Sequence, residues 1–321
     1  MTKNKGMLED NISIDWLEYT LLKPTSSKEA LEKIDFKKDT FIKLKTGLNG
    51  YKNREVEENS GVIFLSDGTD DMGEHVIISG KSCRYLDNNH VEIDLLAKAL
   101  AVNRRINITR LDLALDIYNK NLFKKCLKAY KKNNFVSKFR TTKLMETKKD
   151  GKEKGGTIYF GSRSSEVMIR IYDKGAEQKK EIDWTRIEIV FKKEYAKDIL
   201  INRWQKTWNE LFKGILTNYL NFVDKKELNI SRSKKAKFWN DIVENIEKIK
   251  LYKMPEATNL EDIKAWLKEQ VSTSLFTVSE AEESTKFIKE LMIIGGNNAK
   301  EKHWNLIEKE QEKRRIANEQ R

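Results

Sequence analysis

The stretch NITRLDLALDIY, residues 107–118, has a strong strand pattern. Its three leucines alternate with polar or small residues, namely Arg110, Asp112, Ala114 and Asp116. Because successive side chains of a β-strand point to opposite faces, this alternation predicts one aliphatic face and one charged face. Such a strand is typical of an antiparallel sheet that packs against a core on one side.

Two later stretches repeat the arrangement. In VMIRIYDK, residues 167–174, two isoleucines oppose Arg170, Tyr172 and Lys174. In WTRIEIV, residues 184–190, two isoleucines oppose Arg186, Glu188 and Val190. If the three strands are neighbours, their aliphatic faces pack on helices, and their other faces gather carboxylates, cations and one tyrosine, with free space at Ala114.

This charged face has two interpretations. The ordinary one is a solvent-facing sheet side, where mixed charges are common. The other is a metal-assisted phosphoryl-transfer site, because Asp and Glu oxygens suit Mg²⁺ or Mn²⁺ and such an ion polarises a phosphate oxygen. A tyrosine hydroxyl has an ordinary pKa near 10. Under this interpretation, Arg170, Lys174 and the metal favour the phenolate of Tyr172 and hold the phosphate.

Composition favours a polyanion as the partner. The chain has 321 residues with 62 Lys and Arg against 50 Asp and Glu, a net charge of +12. That excess is typical of nucleic-acid binding, although a well-charged surface alone also produces it. Two cysteines and three histidines exclude a disulfide framework and argue against a Cys/His zinc site. With no signal segment and no membrane-length apolar run, we expect a cytoplasmic protein.

The strand and helix patterns predict an α+β fold in two parts. Residues 1–195 read as a domain built on a largely antiparallel sheet with helices on one face. Residues 196–321 lose the strand alternation and read as a mostly helical C-terminal region. The Gly/Lys-rich stretch KKDGKEKGG, residues 148–156, is predicted to be a loop.

These strands lie within a wider resemblance. The segments MGEHVIISGKSCRYL (72–86), TRLDLALD (109–116), IYFGSRSSEVMIRIYDKGAEQ (158–178) and WTRIEIVFK (184–192) resemble the replication initiation factor family. These are initiators of rolling-circle plasmid replication of the staphylococcal type, and the match runs through most of residues 12–195. The resemblance implies an enzyme that nicks and rejoins one strand at a double-strand origin. It also implies a 5′-phosphotyrosine intermediate, a free 3′-hydroxyl primer, a divalent cation, a homodimer and a host helicase of the PcrA type.

Carried over to this sequence, the resemblance assigns roles to the residues of the charged face. The nucleophile is Tyr172, and Arg170 and Lys174 contact phosphate. The Mg²⁺ or Mn²⁺ ligands are Asp112, Asp116 and Glu188, although Asp116 also reads as a surface carboxylate at a strand end. His75 is either a further ligand or a hydrogen-bonded core histidine. Arg163 and Arg186 are predicted DNA contacts.

A second DNA-binding surface is predicted in SRSKKAKFW, residues 231–239. Clustered cations at a helix start contact phosphates well, and the cations here are Arg232, Lys234, Lys235 and Lys237. Since the family places origin specificity in its C-terminal part, we expect residues 231–250 to read duplex DNA. The alternative is a solvated helix start.

Two other functions compete with a plasmid initiator. A conjugative relaxase of the same superfamily usually carries an added N-terminal helix-turn-helix domain, and here the first strand begins near residue 12. That favours plasmid replication. A non-catalytic DNA-binding regulator predicts loss of the site residues, but Tyr172, Asp112 and Glu188 are all present.

Overall fold

The structure is a computed structural model. It describes residues 12–26, 28–34, 40–69, 71–89, 91–103, 105–149, 152–203, 206–224, 230–243, 249, 260–282, 285–297, 299 and 301–319. The chain divides into two compact units, Met1–Tyr252 and Lys253–Arg321.

The first unit is built on an antiparallel sheet. Its strands, together with those of a small second sheet, are β1 (Ile12–Leu21), β2 (Phe41–Lys43), β3 (Asn53–Glu57), β4 (Ile63–Ser66), β5 (Glu74–Ser79), β6 (Ile106–Tyr118), β7 (Phe135–Ser137), β8 (Thr142–Lys149), β9 (Lys152–Phe160), β10 (Val167–Asp173), β11 (Trp184–Lys192) and β12 (Leu220–Phe222). The large sheet has ten strands in the order β2-β3-β4-β5-β1-β6-β11-β10-β9-β8, and β12 pairs with β7. Every pairing is antiparallel, as the sequence predicts.

Helices make up the rest of both units. In the first unit they are α1 (Glu29–Glu32), α2 (Gly80–Asn88), α3 (Ile93–Val102), α4 (Leu122–Lys131), α5 (Lys174–Glu177), α6 (Glu194–Asn202), α7 (Trp208–Tyr219) and α8 (Lys237–Val243). In the second unit they are α9 (Leu260–Trp266), α10 (Ser272–Ala281), α11 (Lys286–Asn297) and α12 (Glu301–Glu319), with a π-helical turn between α9 and α10. The predicted α+β fold with a helical C-terminal region is therefore confirmed. None of the described helices is long and apolar enough to cross a membrane.

The three strands with alternating patterns are neighbours, in the order β6-β11-β10. Their aliphatic faces enter one core together with the helices, and Leu113, Ile171 and Ile189 are fully buried there. Their opposite faces are in register: Ala114 pairs with Glu188, and Glu188 pairs with Arg170. The charged face predicted from the sequence is therefore continuous across these strands.

The first compact unit extends beyond the boundary at 195/196 that the sequence predicts. Trp208 of α7 and Trp239 of α8 are completely buried in the same core as the sheet. Phe222 of β12 packs edge-on against Phe160 of β9. These aromatic contacts place α7, β12 and α8 in the first unit. The sequence did not predict this, because a helical pattern does not reveal which core a helix enters. The predicted roles, nicking and joining for residues 1–195 and origin recognition with dimer contacts for residues 196–321, stay predictions.

The predicted loop at residues 148–156 is mostly strand. β8 continues to Lys149 and β9 starts at Lys152, and the two pair as a hairpin. Its glycines, Gly155 and Gly156, lie within β9. The Gly and Lys content obscured the strand, because neither residue favours strands on its own.

Candidate active site

The charged face of the sheet forms the floor of a cleft of about 290 Å³. The start of α2 borders the same cleft. The lining residues are Asp15, Trp16, Ser79, Gly80, Lys81, Arg84, Arg110, Thr157, Tyr159, Arg170, Tyr172, Lys174, Glu177 and Glu188. Five described cations and three described carboxylates are among them, so the lining has a net positive charge.

Tyr172 and Glu188 lie at the centre of the cleft floor. The Tyr172 hydroxyl donates a hydrogen bond to the carboxylate of Glu188, and both side chains are nearly fully buried. Burial, followed by the nearby Glu188 charge, raises the pKa of Tyr172 well above its usual value. Arg170 and Lys174 alone therefore do not favour the phenolate, and the expected contribution of a metal stays a prediction. Tyr172 is thus a neutral phenol whose proton already points at an acceptor.

Glu188 is suited to be that acceptor. Burial raises its pKa from an ordinary 4.5 to about 7, while the positive charge of Arg170 opposes the shift. Arg170 forms an ion pair with Glu188 across the β10-β11 register. A carboxylate with a pKa near neutrality accepts a proton more readily than an ordinary one, which is the usual property of a general base.

Asp112 lies behind this centre and holds two arginines. Its carboxylate accepts hydrogen bonds from Nε and Nη2 of Arg110 at 2.8 and 2.6 Å. It also accepts one from Nη2 of Arg170 at 3.3 Å. The side chain is almost completely buried and does not line the cleft. Asp112 therefore positions the arginines that do.

Asp116 belongs to a separate ion-pair network. Its carboxylate accepts bonds from Nε and Nη2 of Arg186, both at 2.7 Å, and from Nε1 of Trp184 at 2.7 Å. Arg186 is buried and also donates to Asp15 at 2.9 Å. The structure thus differs from the prediction that Arg186 contacts DNA, because both ends of its guanidinium are held by carboxylates. Arg186 bridges Asp116 and Asp15, and Asp15 lines the cleft.

Asp15 is among the cleft residues that the sequence does not predict, as are Trp16 and Arg84. It lies in β1 where the pairing with β6 shifts register, between Ile14 and Trp16. Such a bulge puts two consecutive residues on one face, so Asp15 and Trp16 both line the cleft. The signal in ISIDWLEY was present: buried Ile12 and Ile14 are followed by buried Leu17, an interval of three instead of two.

The Asp15 carboxylate is held as an ion. It accepts a bond from Arg84 of α2 at 2.8 Å in addition to that from Arg186. Burial alone would raise the pKa of Asp15, but Arg186 and Arg84 outweigh it and keep the pKa below its usual value. Gly80 permits this approach, because a Cβ on Gly80 would lie 2.7 Å from Oδ1 of Asp15.

Lys174 follows Tyr172 at the start of α5. Its ammonium group pairs with Glu177 and lies 5.5 Å from the centre of the Tyr172 ring. Asp173 begins the helix, because its side chain accepts a bond from the amide of Ala176 at 2.9 Å. The conformation of the YDKG sequence thus fixes the cation beside the tyrosine.

The predicted metal ligands do not converge. Of Asp112, Asp116 and Glu188, Glu188 alone lines the cleft, and each of the three is paired with an arginine. Within the described ranges, no group of three His, Cys, Asp or Glu side chains is arranged to hold a metal ion. Asp112 and Glu188 both contact Nη2 of Arg170, and the assignment of Asp112, Asp116 and Glu188 as metal ligands stays a prediction.

The other predicted site residues lie outside the cleft. Arg163 is exposed, and its carbonyl accepts a bond from Lys192. Arg232, Lys234 and Lys237 are exposed at and before the start of α8, and Lys235 is partly buried. His75 is buried, with its Nδ1 2.8 Å from the Thr20 hydroxyl, so its hydrogen-bonded alternative is the one observed. Residues 244–248 and 250, the end of the predicted duplex-reading segment, lie outside the described residues.

Comparison with known proteins identifies the family. A family model described as replication initiation factor matches residues 106–292, more than half of the 321-residue chain. The chain belongs to the replication initiation factor family. The family segment includes β6, β10 and β11, which carry Tyr172 and Glu188, whereas Asp15, Trp16 and Arg84 precede it.

Two relatives extend the comparison beyond that segment. The protein named "Putative DNA relaxase NicK" from Bacillus subtilis (strain 168) is 27% identical over 304 residues, which cover 88% of this chain and 84% of the relative. A solved structure titled as a rolling circle replication initiator protein from Geobacillus stearothermophilus is 27% identical, with a TM-score of 0.66. That match covers 75% of this chain and 99% of the initiator, so the family fold extends over most of the chain.

Proposed function

We propose that this protein initiates rolling-circle replication of a plasmid by nicking and rejoining one DNA strand. In this proposal it binds the double-strand origin, forms a 5′-phosphotyrosine intermediate and releases a 3′-hydroxyl that primes synthesis. The single observation that carries the proposal is the hydrogen bond from Tyr172 to Glu188 within a cationic cleft. Membership in the replication initiation factor family supports it.

The chemistry follows from the pairing. The Tyr172 oxygen attacks the scissile phosphorus, and its proton passes to Glu188 as the new bond forms. Because the pKa of Tyr172 is raised, a free phenolate is disfavoured, and proton transfer must accompany attack. The bond from phosphorus to the 3′ oxygen breaks, and that oxygen takes a proton from water. Rejoining is the reverse reaction, with Glu188 returning the proton.

The cations of the cleft are placed to bind the negatively charged phosphate. Arg170 lies directly beside Glu188 in the register, and Lys174 lies beside the Tyr172 ring. In the proposal these two groups bind the non-bridging oxygens of the scissile phosphate. Fixed cations of this kind stabilise the charge that develops in a phosphoryl-transfer transition state.

A dependence on Mg²⁺ or Mn²⁺ is a separate proposal that rests on the family resemblance. The carboxylates of this chain that line the cleft centre are Asp15 and Glu188. Both now hold guanidinium groups, so a cation has to compete with arginines for them. We therefore derive no catalytic step through a metal.

The partners are proposed on the same basis. They are a second copy of the chain, a host helicase and the plasmid origin. Residues 231–250 are proposed to read duplex DNA, since the described cations of this segment include exposed Arg232, Lys234 and Lys237.

A DNA relaxase acting in conjugation is the second candidate. It is favoured by one observation, the match to most of the length of the protein named as a relaxase. Both candidates use the same tyrosine chemistry, so the target DNA distinguishes them. An initiator supports replication of a plasmid that carries its origin, whereas a relaxase supports transfer of a plasmid between cells.

The test of the shared chemistry is a covalent adduct. Wild-type protein and Tyr172→Phe are incubated with Mg²⁺ or Mn²⁺ and a labelled single-stranded oligonucleotide from the candidate origin, and are separated on a denaturing gel. Label migrating with wild-type protein and with a Tyr118→Phe control, but not with Tyr172→Phe, is the expected result. An adduct in Tyr172→Phe moves the nucleophile elsewhere. No adduct in any protein, with duplex binding intact, supports a non-catalytic regulator.

A further inference from the structure

Two aromatic side chains besides Tyr172 line the cleft, one on each side of the Tyr172-Glu188 pair. Tyr159 of β9 is in register with Arg170, and Trp16 of β1 is in register with Asp112. In the row of five strands β9-β10-β11-β6-β1, Tyr159 and Trp16 lie on the two outer strands. Trp16 is offset along the strands by two residues, because Ala114, which pairs with Glu188, faces Ser13, and Trp16 faces Asp112. Glu188 and Ala114 lie between them.

We propose that Trp16 and Tyr159 stack unpaired DNA bases on the two sides of the scissile phosphate. The ligand is single-stranded DNA that crosses the sheet obliquely from β9 to β1. The inference rests on the proposed function and names what the cleft recognises: bases that are already out of the duplex.

Trp16 is held in place by a hydrogen bond, by a cation-π contact and by packing against a small core cluster. Its indole Nε1 donates to Glu18 at 2.6 Å, and the Arg110 guanidinium lies 4.4 Å from the centre of its ring. Arg110 is itself fixed by two hydrogen bonds to Asp112. A side chain that is ordered before binding loses little conformational freedom when a base stacks on it. The adjacent guanidinium provides a positive charge for the phosphate of the same nucleotide.

Tyr159 is available for a ligand because the fold makes little use of it. Its ring is partly exposed and belongs to neither core cluster. Within the described part of the chain, its hydroxyl makes no hydrogen bond. The neighbouring residues of β9, Ile158 and Phe160, point the other way and are fully buried. Tyr159 therefore presents an aromatic face to the cleft and contributes little to the stability of the fold.

The distance across the floor suits several nucleotides. Four inter-strand steps of about 4.8 Å separate β9 from β1, about 19 Å in total. Stacked nucleotides rise about 3.4 Å each, so the row holds more than one base on either side of the phosphate.

Single strands fit this arrangement better than duplexes. Bases in a duplex are stacked on one another and offer no free face to a side chain, whereas unpaired bases stack on aromatic rings without sequence preference. Cations between the rings track the backbone, and Arg170 occupies that position. The same combination of rings and cations is typical of single-strand binding surfaces.

Differential binding tests the proposal. Fluorescein-labelled oligothymidine and a labelled short duplex are titrated separately, at one salt concentration and without divalent cation, in a Tyr172→Phe background. We expect Trp16→Leu and Tyr159→Leu each to weaken single-strand binding about ten-fold and to leave duplex binding unchanged. Tyr159→Phe keeps the ring and should keep the affinity. Tyr118→Leu, a partly exposed tyrosine outside the cleft, is the matched control.

Two results would overturn the proposal. One is unchanged single-strand affinity in both leucine variants. The other is an equal loss of single-strand and duplex affinity with a lowered melting temperature, which indicates a structural role. Photocrosslinking provides a second measurement that does not depend on substitutions: oligothymidine carrying 5-iodouracil should crosslink to Trp16 and Tyr159, as mapped by peptide mass spectrometry. Crosslinks confined to residues 230–243 contradict it.

Failure of this inference differs from failure of the proposed function. If wild-type protein forms the tyrosine adduct but the leucine variants bind normally, the nicking function stands and the stacking platforms are rejected. If the variants lose single-strand affinity but no adduct forms, the cleft binds unpaired DNA without cutting it.

Discussion

The Tyr172 hydroxyl donates a hydrogen bond to Glu188, and Glu188 is paired with Arg170 on the same two strands. The proposed nucleophile, its proton acceptor and a phosphate-binding cation are therefore fixed by one strand register. A change at any one of them alters the electrostatics of the other two.

Glu188→Gln should slow adduct formation by about a hundred-fold, because the amide cannot take the proton from Tyr172. Binding of oligothymidine should change little. The measurement is the single-turnover rate of adduct formation by Glu188→Gln and by a control, Glu55→Gln, on β3 outside the cleft. A normal rate in Glu188→Gln means that the proton goes elsewhere.

The rate of adduct formation should rise with pH through about 7. The pKa of Glu188 is raised to about 7, and only its ionised form can accept the proton. The check is a pH profile of single-turnover rates between pH 5 and about 9, with the inflection expected near the folded-state pKa. Glu188→Gln should lose this inflection. The same inflection in Glu188→Gln assigns it to another group.

The free energy of unfolding should fall as pH rises, whereas the rate of adduct formation should rise. Because the folded-state pKa of Glu188 lies above its ordinary 4.5, the folded protein holds this proton more tightly than the unfolded chain. The contribution of Glu188 to the free energy of unfolding is therefore full below about pH 4.5 and is lost as pH rises to about 7. Urea unfolding across this window should show a flatter pH dependence for Glu188→Gln than for wild-type protein.

Asp15→Asn should reduce both stability and activity. The substitution removes the charge that holds Arg186 and Arg84, so about 1–3 kcal/mol of unfolding free energy is lost. Adduct formation should fall because Arg84 and Nη1 of Arg186 lose the carboxylate that orients them at the cleft, although Asp116 still holds the rest of the Arg186 guanidinium. Asp67→Asn, which removes a distant exposed partner of Lys52, is the control for both measurements. Equal behaviour of the two variants removes Asp15 from the site.

Binding of Mn²⁺ should depend on DNA. Asp15 and Glu188 are engaged by arginines, so the free protein should bind the ion weakly, and phosphate oxygens should complete the coordination. Titration calorimetry on Tyr172→Phe with and without oligothymidine measures this difference. Equal affinity in both titrations contradicts the expectation and indicates a site formed without DNA.

Part of the site could be predicted because strand alternation fixes which side chains share a face. That rule was sufficient for Tyr172, Arg170 and Glu188. It did not reveal Asp15, since a bulge changes the alternation and brings two consecutive residues to one face. Nor did it show that Asp116 is held by Arg186, because a partner across strands depends on register, which one sequence does not specify.

The order of the sheet has a consequence for synthesis of the protein. β11 lies between β6 and β10, although it follows both in the chain. Tyr172 and Glu188 therefore cannot meet until Trp184–Lys192 has left the ribosome and entered the middle of the sheet. A nascent chain that ends before β11 carries the tyrosine without its proton acceptor. If Tyr172 acts as proposed, the nicking chemistry is thus restricted to molecules in which β11 has joined the sheet.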